Sequence, residues 1–258
     1  MLLAIDSGNT NTVFAVFEND GTIVGQWRAS TDVDRTADEI GVWLDRLMAL
    51  EGIERTAITD AIIATVVPAT LFNLKTLSRK YFKTDPLVVG EEGVALGLEV
   101  LVDQPGEVGA DRLVNAVAAY DRYGGPLTII DFGTATTFDL IDGDGNYLGG
   151  VIAPGINLSL EALHQAAAKL PRAAIARPER VIGKNTVSAM QSGIFWGYVS
   201  LIEGMTARIN AEFGKTMNAI ATGGLAHLFA DATDTIKDAD ADLTLRGLFL
   251  IHSRNRKT

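Results

Sequence analysis

Near its start the chain places an aspartate and a glycine among small hydroxyl and amide side chains: Asp6-Ser7-Gly8-Asn9-Thr10-Asn11-Thr12. A turn of this composition, leaving an apolar run, can aim backbone N–H groups and hydroxyls at phosphate oxygens, with Gly8 and Asn9 suited to positive φ. It holds no lysine, so it is not a Walker loop. An ordinary polar hairpin turn is the alternative. The segment recurs in altered form as Asp131-Phe132-Gly133-Thr134-Ala135-Thr136-Thr137, with Asp, Gly and the last Thr at one constant spacing. Two like loops from two like domains can face one another across a cleft, and the recurrence weighs against the plain turn.

Asp6 and Asp131 would then share a site with a polyanion. Like charges 4 Å apart repel by roughly 1–4 kcal/mol, depending on the local dielectric. A formal net charge of -10 adds to the problem. Cations therefore belong to the expected site: Mg²⁺ accompanying nucleotide phosphates, held at Asp6 through water. Either aspartate can instead be a hairpin residue capping backbone N–H groups.

A third segment, Gly109-Ala110-Asp111-Arg112, stands at the start of an apolar-periodic stretch running to about Tyr120. Asp in the first turn of a helix commonly just complements the helix dipole. Beside Arg112 it can also divide labour, the carboxylate taking a hydroxyl proton while the guanidinium holds an anion. Gly149-Gly150-Val151-Ile152-Ala153-Pro154-Gly155 can shape a pocket wall or be a tight connection. Ala221-Thr222-Gly223-Gly224 can admit an adenine or ribose against backbone, or be a plain strand-to-helix turn. His164, His227 and His252 lack ligand spacing and read as structural or surface residues.

These residues need elements to hold them. After each Asp-x-Gly loop comes a β-rich run, Val13 to Phe17 and Phe138 to Ile141. Each then meets a turn signal (Asn19-Asp20-Gly21; Asp142-Gly143-Asp144-Gly145) and a further strand, Thr22 to Arg28 and Tyr147 to Ala153. Thr36-Ala37-Asp38-Glu39 has capping-box spacing and opens a helix to about Leu50. Ala61 to Val67 reads as a strand stopped by Pro68, which can start a helix to about Tyr81. Ala219 to Thr222 is a comparable strand. Thr186 to Phe213 reads as one long helix, in which Gly193 and Gly197 form a close-packing contact either inside the domain or across a dimer. Strands alternating with helices, with a hairpin heading each half, predict an α/β chain of two similar domains, residues 1–118 and 119–258.

Composition sets the outer bounds. With 258 residues, 47% hydrophobic and 21% charged, the chain can bury a substantial core and is not intrinsically disordered. The lack of cysteine excludes a disulfide scaffold, a thiolate metal site and a Cys nucleophile. The excess of 32 acidic over 22 basic residues argues against nucleic-acid binding. The apolar start is too short for a signal peptide, and no stretch reaches the roughly 18–20 apolar residues of a membrane span. The expectation is a cytoplasmic protein with no membrane partner.

Taken in order, Asp6-Ser7-Gly8-Asn9-Thr10, Gly109-Ala110-Asp111-Arg112, Asp131-Phe132-Gly133-Thr134-Ala135-Thr136 and Gly149 to Gly155 resemble the type III pantothenate kinases. One motif alone is weak; four in order are specific. The resemblance implies two tandem ribonuclease-H-like domains of the actin, sugar-kinase and Hsp70 superfamily, with a nucleotide cleft. It implies ATP-dependent phosphorylation of pantothenate to 4′-phosphopantothenate, the first step of coenzyme A synthesis, by a homodimer. Carried over, Asp6, Ser7, Gly8, Asn9, Thr10, Asn11, Thr12 and Val13 would bind ATP, with Thr134 as a further phosphate contact. Asp111 would accept the pantothenate hydroxyl proton. Gly109, Ala110, Arg112 and Thr186 would line the substrate site, and Asp131 would hold a monovalent cation, K⁺ or NH₄⁺. Where many members carry a Tyr just before the Gly-Ala-Asp-Arg segment, this chain has Val102. The resemblance also leaves room for a kinase acting on another alcohol, or a non-catalytic regulator on the same fold. Intact Asp6, Asp111, Asp131 and Thr134 favour the enzyme.

Overall fold

The computed structural model describes residues 1–166 and 173–256. They divide into two units, one formed by Met1–Asp121 with the segment from Asp242 onward, the other by Arg122–Ala241. The first opens with an antiparallel meander of β1 (Leu2–Ser7), β2 (Asn11–Phe17) and β3 (Ile23–Ser30). Helix α1 (Ala37–Leu50), β4 (Asp60–Thr65), α2 (Pro68–Tyr81), β5 (Leu87–Val88) and α3 (Ala110–Tyr123) follow. The sheet order is β3-β2-β1-β4-β5, with β4 parallel to β1 and β5 parallel to β4. In the second unit β6 (Leu127–Phe132), β7 (Ala135–Ile141) and β8 (Tyr147–Pro154) form the meander. They are followed by α4 (Ile156–Ala166), α5 (Thr186–Phe213), β9 (Asn218–Gly223), α6 (Ala226–Ala230) and β10 (Ile236–Ala239). Its order, β10-β9-β6-β7-β8, repeats the first strand for strand.

Period-two burial explains the first unit's layers. Leu3, Ile5, Phe14, Val16, Ala61 and Ile63 share one core with α1 and α2, while Leu2, Ala4, Ala15, Phe17, Ile62 and Ala64 face a second core. Successive strand side chains point to opposite faces, so a sheet buried on both sides needs apolar residues throughout and helices on each face. Local signals set the helix starts. Thr36 and Glu39 form the expected capping box of α1, and Pro68 occupies the first turn of α2.

Two sequence expectations change. Chain order groups the tail with the second half, yet α7 (Leu243–Asn255) packs on the first sheet. Its Leu245, Leu248 and Ile251 join the core of Leu2, Ala4, Val114 and Val117, because α3 leaves part of that face uncovered. Gly247 lets α7 approach α3 closely: a Cβ there would stand 2.2 Å from the Val114 carbonyl oxygen. Thr244 also donates to Asn115 at 2.7 Å.

The second change concerns the loop repeat. Ser7 pairs with Thr12, but Phe132 pairs with Thr136, so the second hairpin is one residue shorter and Thr136, not Thr137, matches Thr12. The next strands agree, since Thr12 pairs with Ala29 and Thr136 with Ala153.

Candidate functional site

Strands β1 and β4 run parallel and end together at Ser7 and Thr65, which are register partners. In an open α/β sheet the ligand crevice lies beyond the carboxyl ends of such strands. The first loop leaves β1 at this edge, with Asn9, Thr10 and Asn11 exposed and Asp6 half-buried. Its turn is closed by the Gly8 N–H donating to the Asn11 carbonyl at 3.0 Å. Behind it lies a set of hydroxyls. Ser7 Oγ, fully buried, lies 3.1 Å from Thr12 Oγ1 and 3.2 Å from Thr70 Oγ1. Thr12 Oγ1 lies 3.0 Å from Thr31 Oγ1, which donates to the Gly8 carbonyl at 2.6 Å. Thr12 and Thr70, with Arg35 and Asn73, line a small depression over Phe14 and Leu74. Val13, on β2, packs toward the α3 and α7 core.

The Gly109–Arg112 segment reaches the same edge. Val66, just past β4, donates its N–H to the Ser7 carbonyl at 3.1 Å, and its Cγ1 lies 3.4 Å from where a Gly109 Cβ would be. Asp111 stands in the first turn of α3, half-buried, its Oδ1 accepting the Arg112 N–H at 2.8 Å. A Gly109 Cβ would meet that same Oδ1 at 2.6 Å, so glycine here makes room for the carboxylate. The first unit thus brings Asp6–Thr12 and Gly109–Arg112 to one end of its sheet. Val102 is half-buried, a few residues before the short 3₁₀ turn Pro105–Glu107.

In the second unit Asp131 is the last residue but one of β6, ahead of exposed Gly133 and Thr134, whose turn is closed by the Gly133 N–H donating to Ala135 O at 3.0 Å. Two glycines embrace this loop. A Cβ on Gly155 would stand 2.1 Å from the Thr134 carbonyl oxygen and 2.8 Å from that of Gly133. Gly223, at φ +88°, would place one 2.6 Å from Asp131 Oδ1 and 2.7 Å from Phe132 O. Both Gly-rich segments read in the sequence therefore end against the second loop. Their close-approach role is carried by three-dimensional contact and has no local signature. Phe132 takes the place that Ser7 has in the first loop, and Thr136 Oγ1 is buried with no hydrogen-bond partner among the described residues. Thr186 is the exposed first residue of α5, whose N-cap Asn185 forms a capping box with Ser188.

Among the described residues no group of three or more His, Asp or Glu is arranged to hold a metal ion by itself. Carboxylate oxygens, such as Asp6 and Asp131 each carry, are the donor type that hard cations take. No described helix is long and apolar enough to cross a membrane.

Two five-stranded mixed sheets of one topology, each headed by an Asp-x-Gly hairpin, give the chain a two-unit α/β fold that it shares with solved sugar-kinase structures. A solved structure described as a 2-dehydro-3-deoxygalactonokinase from Sinorhizobium meliloti shares that fold at TM-score 0.59 and 15% identity, over 98% of this chain and 96% of its own. Another, described as a conserved Baf family transcriptional activator from Campylobacter jejuni, does so at TM-score 0.61 and 20% identity, over 98% of each. The family model for type III pantothenate kinase matches residues 2–208. A type III pantothenate kinase of Paramagnetospirillum magneticum is 69% identical over 255 residues, 99% of this chain and 98% of that one. The chain belongs to the type III pantothenate kinase family.

Proposed function

We propose that this protein phosphorylates pantothenate at the expense of ATP, feeding coenzyme A biosynthesis. The observation that carries the reading, beside family membership, is the meeting of a lysine-free Asp-x-Gly loop and the Gly109–Arg112 segment at one edge of the first sheet. In this reading Asp6, Ser7, Gly8, Asn9, Thr10, Asn11, Thr12 and Val13 form the segment that takes ATP phosphates. Thr134 adds a contact from the second loop. Gly109, Ala110, Arg112 and Thr186 take pantothenate. Asp111 holds the hydroxyl and accepts its proton as the oxygen bonds to the γ-phosphorus and the bond to the β,γ-bridging oxygen breaks, releasing ADP. Arg112 holds an anionic group on the substrate. Asp6 orients the waters of the Mg²⁺ that arrives with ATP and neutralises phosphate charge. Asp131 holds a monovalent cation, which a chain of net charge -10 without a phosphate-loop lysine needs.

Two further parts belong to this reading. The protein acts in the cytoplasm, without nucleic acid. It is a homodimer, a reading supported by Gly193 and Gly197 of α5, where a Cβ on either would meet nothing within 4 Å among the described residues. Gly193→Leu should convert a dimer to a monomer in light scattering; a wild-type protein that is already monomeric rules the dimer out.

The deciding assay is ADP release with and without pantothenate, in K⁺, NH₄⁺ and Na⁺ buffers with Mg²⁺. Release is expected only with pantothenate, and only with K⁺ or NH₄⁺. Release indifferent to pantothenate removes the substrate assignment. Equal rates in Na⁺ alone remove the role given to Asp131.

A further inference from the structure

We infer that Thr31 is a positioning residue for the nucleotide loop, acting as the last link of a directed hydroxyl chain that sets which way the loop's peptide groups face. Thr31 immediately follows β3 and touches the first loop twice. Its N–H donates to the Thr10 carbonyl at 3.0 Å, and its Oγ1 to the Gly8 carbonyl at 2.6 Å.

A carbonyl can only accept, so the single Thr31 hydroxyl proton is committed to Gly8. Thr31 Oγ1 must then accept from Thr12, and Thr12 in turn from Ser7, at 3.0 and 3.1 Å. Thr70 adds no proton to this line: its hydroxyl donates to the Val67 carbonyl at 2.9 Å, and its oxygen stands 3.2 Å from Ser7 Oγ. Every hydroxyl from Ser7 to Thr31 is therefore oriented, and each bond polarises the next.

The functional consequence lies in the Gly8–Asn9 peptide. In a planar trans peptide the C=O and the following N–H point in opposite directions. Drawing the Gly8 oxygen onto Thr31 turns the exposed Asn9 N–H away from β3. Drawing the Thr10 oxygen onto the Thr31 amide turns a second carbonyl inward. Carbonyl oxygens repel phosphate and N–H groups attract it, so one residue outside the loop clears two repelling oxygens and presents a donor. The second hairpin has no such device: Phe132 replaces Ser7, and the Thr136 hydroxyl is left without a partner among the described residues. The hydroxyl chain marks the first loop as the one whose peptide orientation must be held.

This inference rests on the reading that the first loop takes ATP phosphates, and the test separates the two. Steady-state kinetics are measured for wild type, Thr31→Val, Thr31→Ser and Asp6→Asn, with a thermal melt of each in the absence of nucleotide. Thr31→Val keeps the side-chain shape and removes the hydroxyl. It should raise KM for ATP about tenfold, the loss expected for one well-placed hydrogen bond, with KM for pantothenate within twofold of wild type. Thr31→Ser restores the hydroxyl and should restore KM for ATP. If Thr31→Val does not fold, Thr31→Ala, which leaves space rather than a misplaced methyl, is used in its place. A hydroxyl-free variant with wild-type KM for ATP, or equal losses for both substrates, or failure of Ser to rescue, overturns the positioning role while Asp6→Asn still impairs ATP use. If Asp6→Asn leaves ATP use unchanged, the loop reading itself falls and this inference with it.

Discussion

Asp111→Asn is expected to lower kcat by about 10²–10⁴-fold, the usual contribution of a positioned general base, while leaving KM for ATP near its wild-type value. The substitution is a clean one in this site. Asn keeps an oxygen that can accept the Arg112 N–H, so the 2.8 Å hydrogen bond at the start of α3 survives. It adds no volume against Gly109, whose missing Cβ leaves room for a group of this size. What it removes is the negative charge and the ability to take a proton from an attacking hydroxyl. ATP binding, assigned to other residues, should persist, and it can be followed separately by titration with a non-hydrolysable analogue. Near-normal turnover in this variant would sink the role given to Asp111.

Gly155→Ala should be nearly as damaging by a purely steric route. Gly155 joins the end of β8 to the start of α4, and its carbonyl accepts the Ser159 N–H at 2.9 Å. An added methyl carbon would lie 2.1 Å from the Thr134 carbonyl oxygen and 2.7 Å from its carbon, distances no backbone tolerates. One side must give. The glycine side is anchored by Ile156, buried in the core with Phe132 and Phe138. The loop side, Gly133 and Thr134, is exposed and yields first. Overpacking of this kind costs about 1–3 kcal/mol. The displaced loop should also raise KM for ATP by more than about tenfold, since hydrogen bonds to phosphate oxygens weaken steeply once misaligned. Gly224→Ala is the control, because a Cβ there meets nothing within 4 Å among the described residues. Urea midpoints and kinetics for both variants decide the matter; matching behaviour of the two would refute the steric account.

Most of the elements that carry the candidate site are legible in the sequence because their signals are local. Asp6-x-Gly8 and its echo, the Thr36–Glu39 cap and Pro68 each act within a few residues, and the α5 span of Thr186–Phe213 follows from a mostly apolar, proline-free run closed by Gly214. The parts that escape depend on contact between distant segments. Strand β5 has two residues and β10 four, too short for a period to emerge. The apolar residues of α7 show that it is buried but not against which sheet. The roles of Gly155 and Gly223 reside in what a side chain would strike, and Thr31 looks like any threonine after a strand. The altered loop length is the most instructive case. Equal spacing of Asp, Gly and Thr suggests a strict copy, whereas strand register places Thr136 opposite Phe132 and so changes the partner of the key hydroxyl.

The return of α7 to the first sheet makes the second unit an insertion within the first, and this has a consequence for the order of synthesis. Chains emerge from the ribosome N-terminus first. When residues 1–121 are complete, Leu2, Ala4, Ile62 and Val117 still lack the Leu245, Leu248 and Ile251 that bury them. The second unit, one uninterrupted stretch, has all its residues before that gap can be filled. The unit whose strands are made before the other's is therefore the later to be finished, and the loop carrying Asp6 waits for α7 before its sheet is fully covered on both faces.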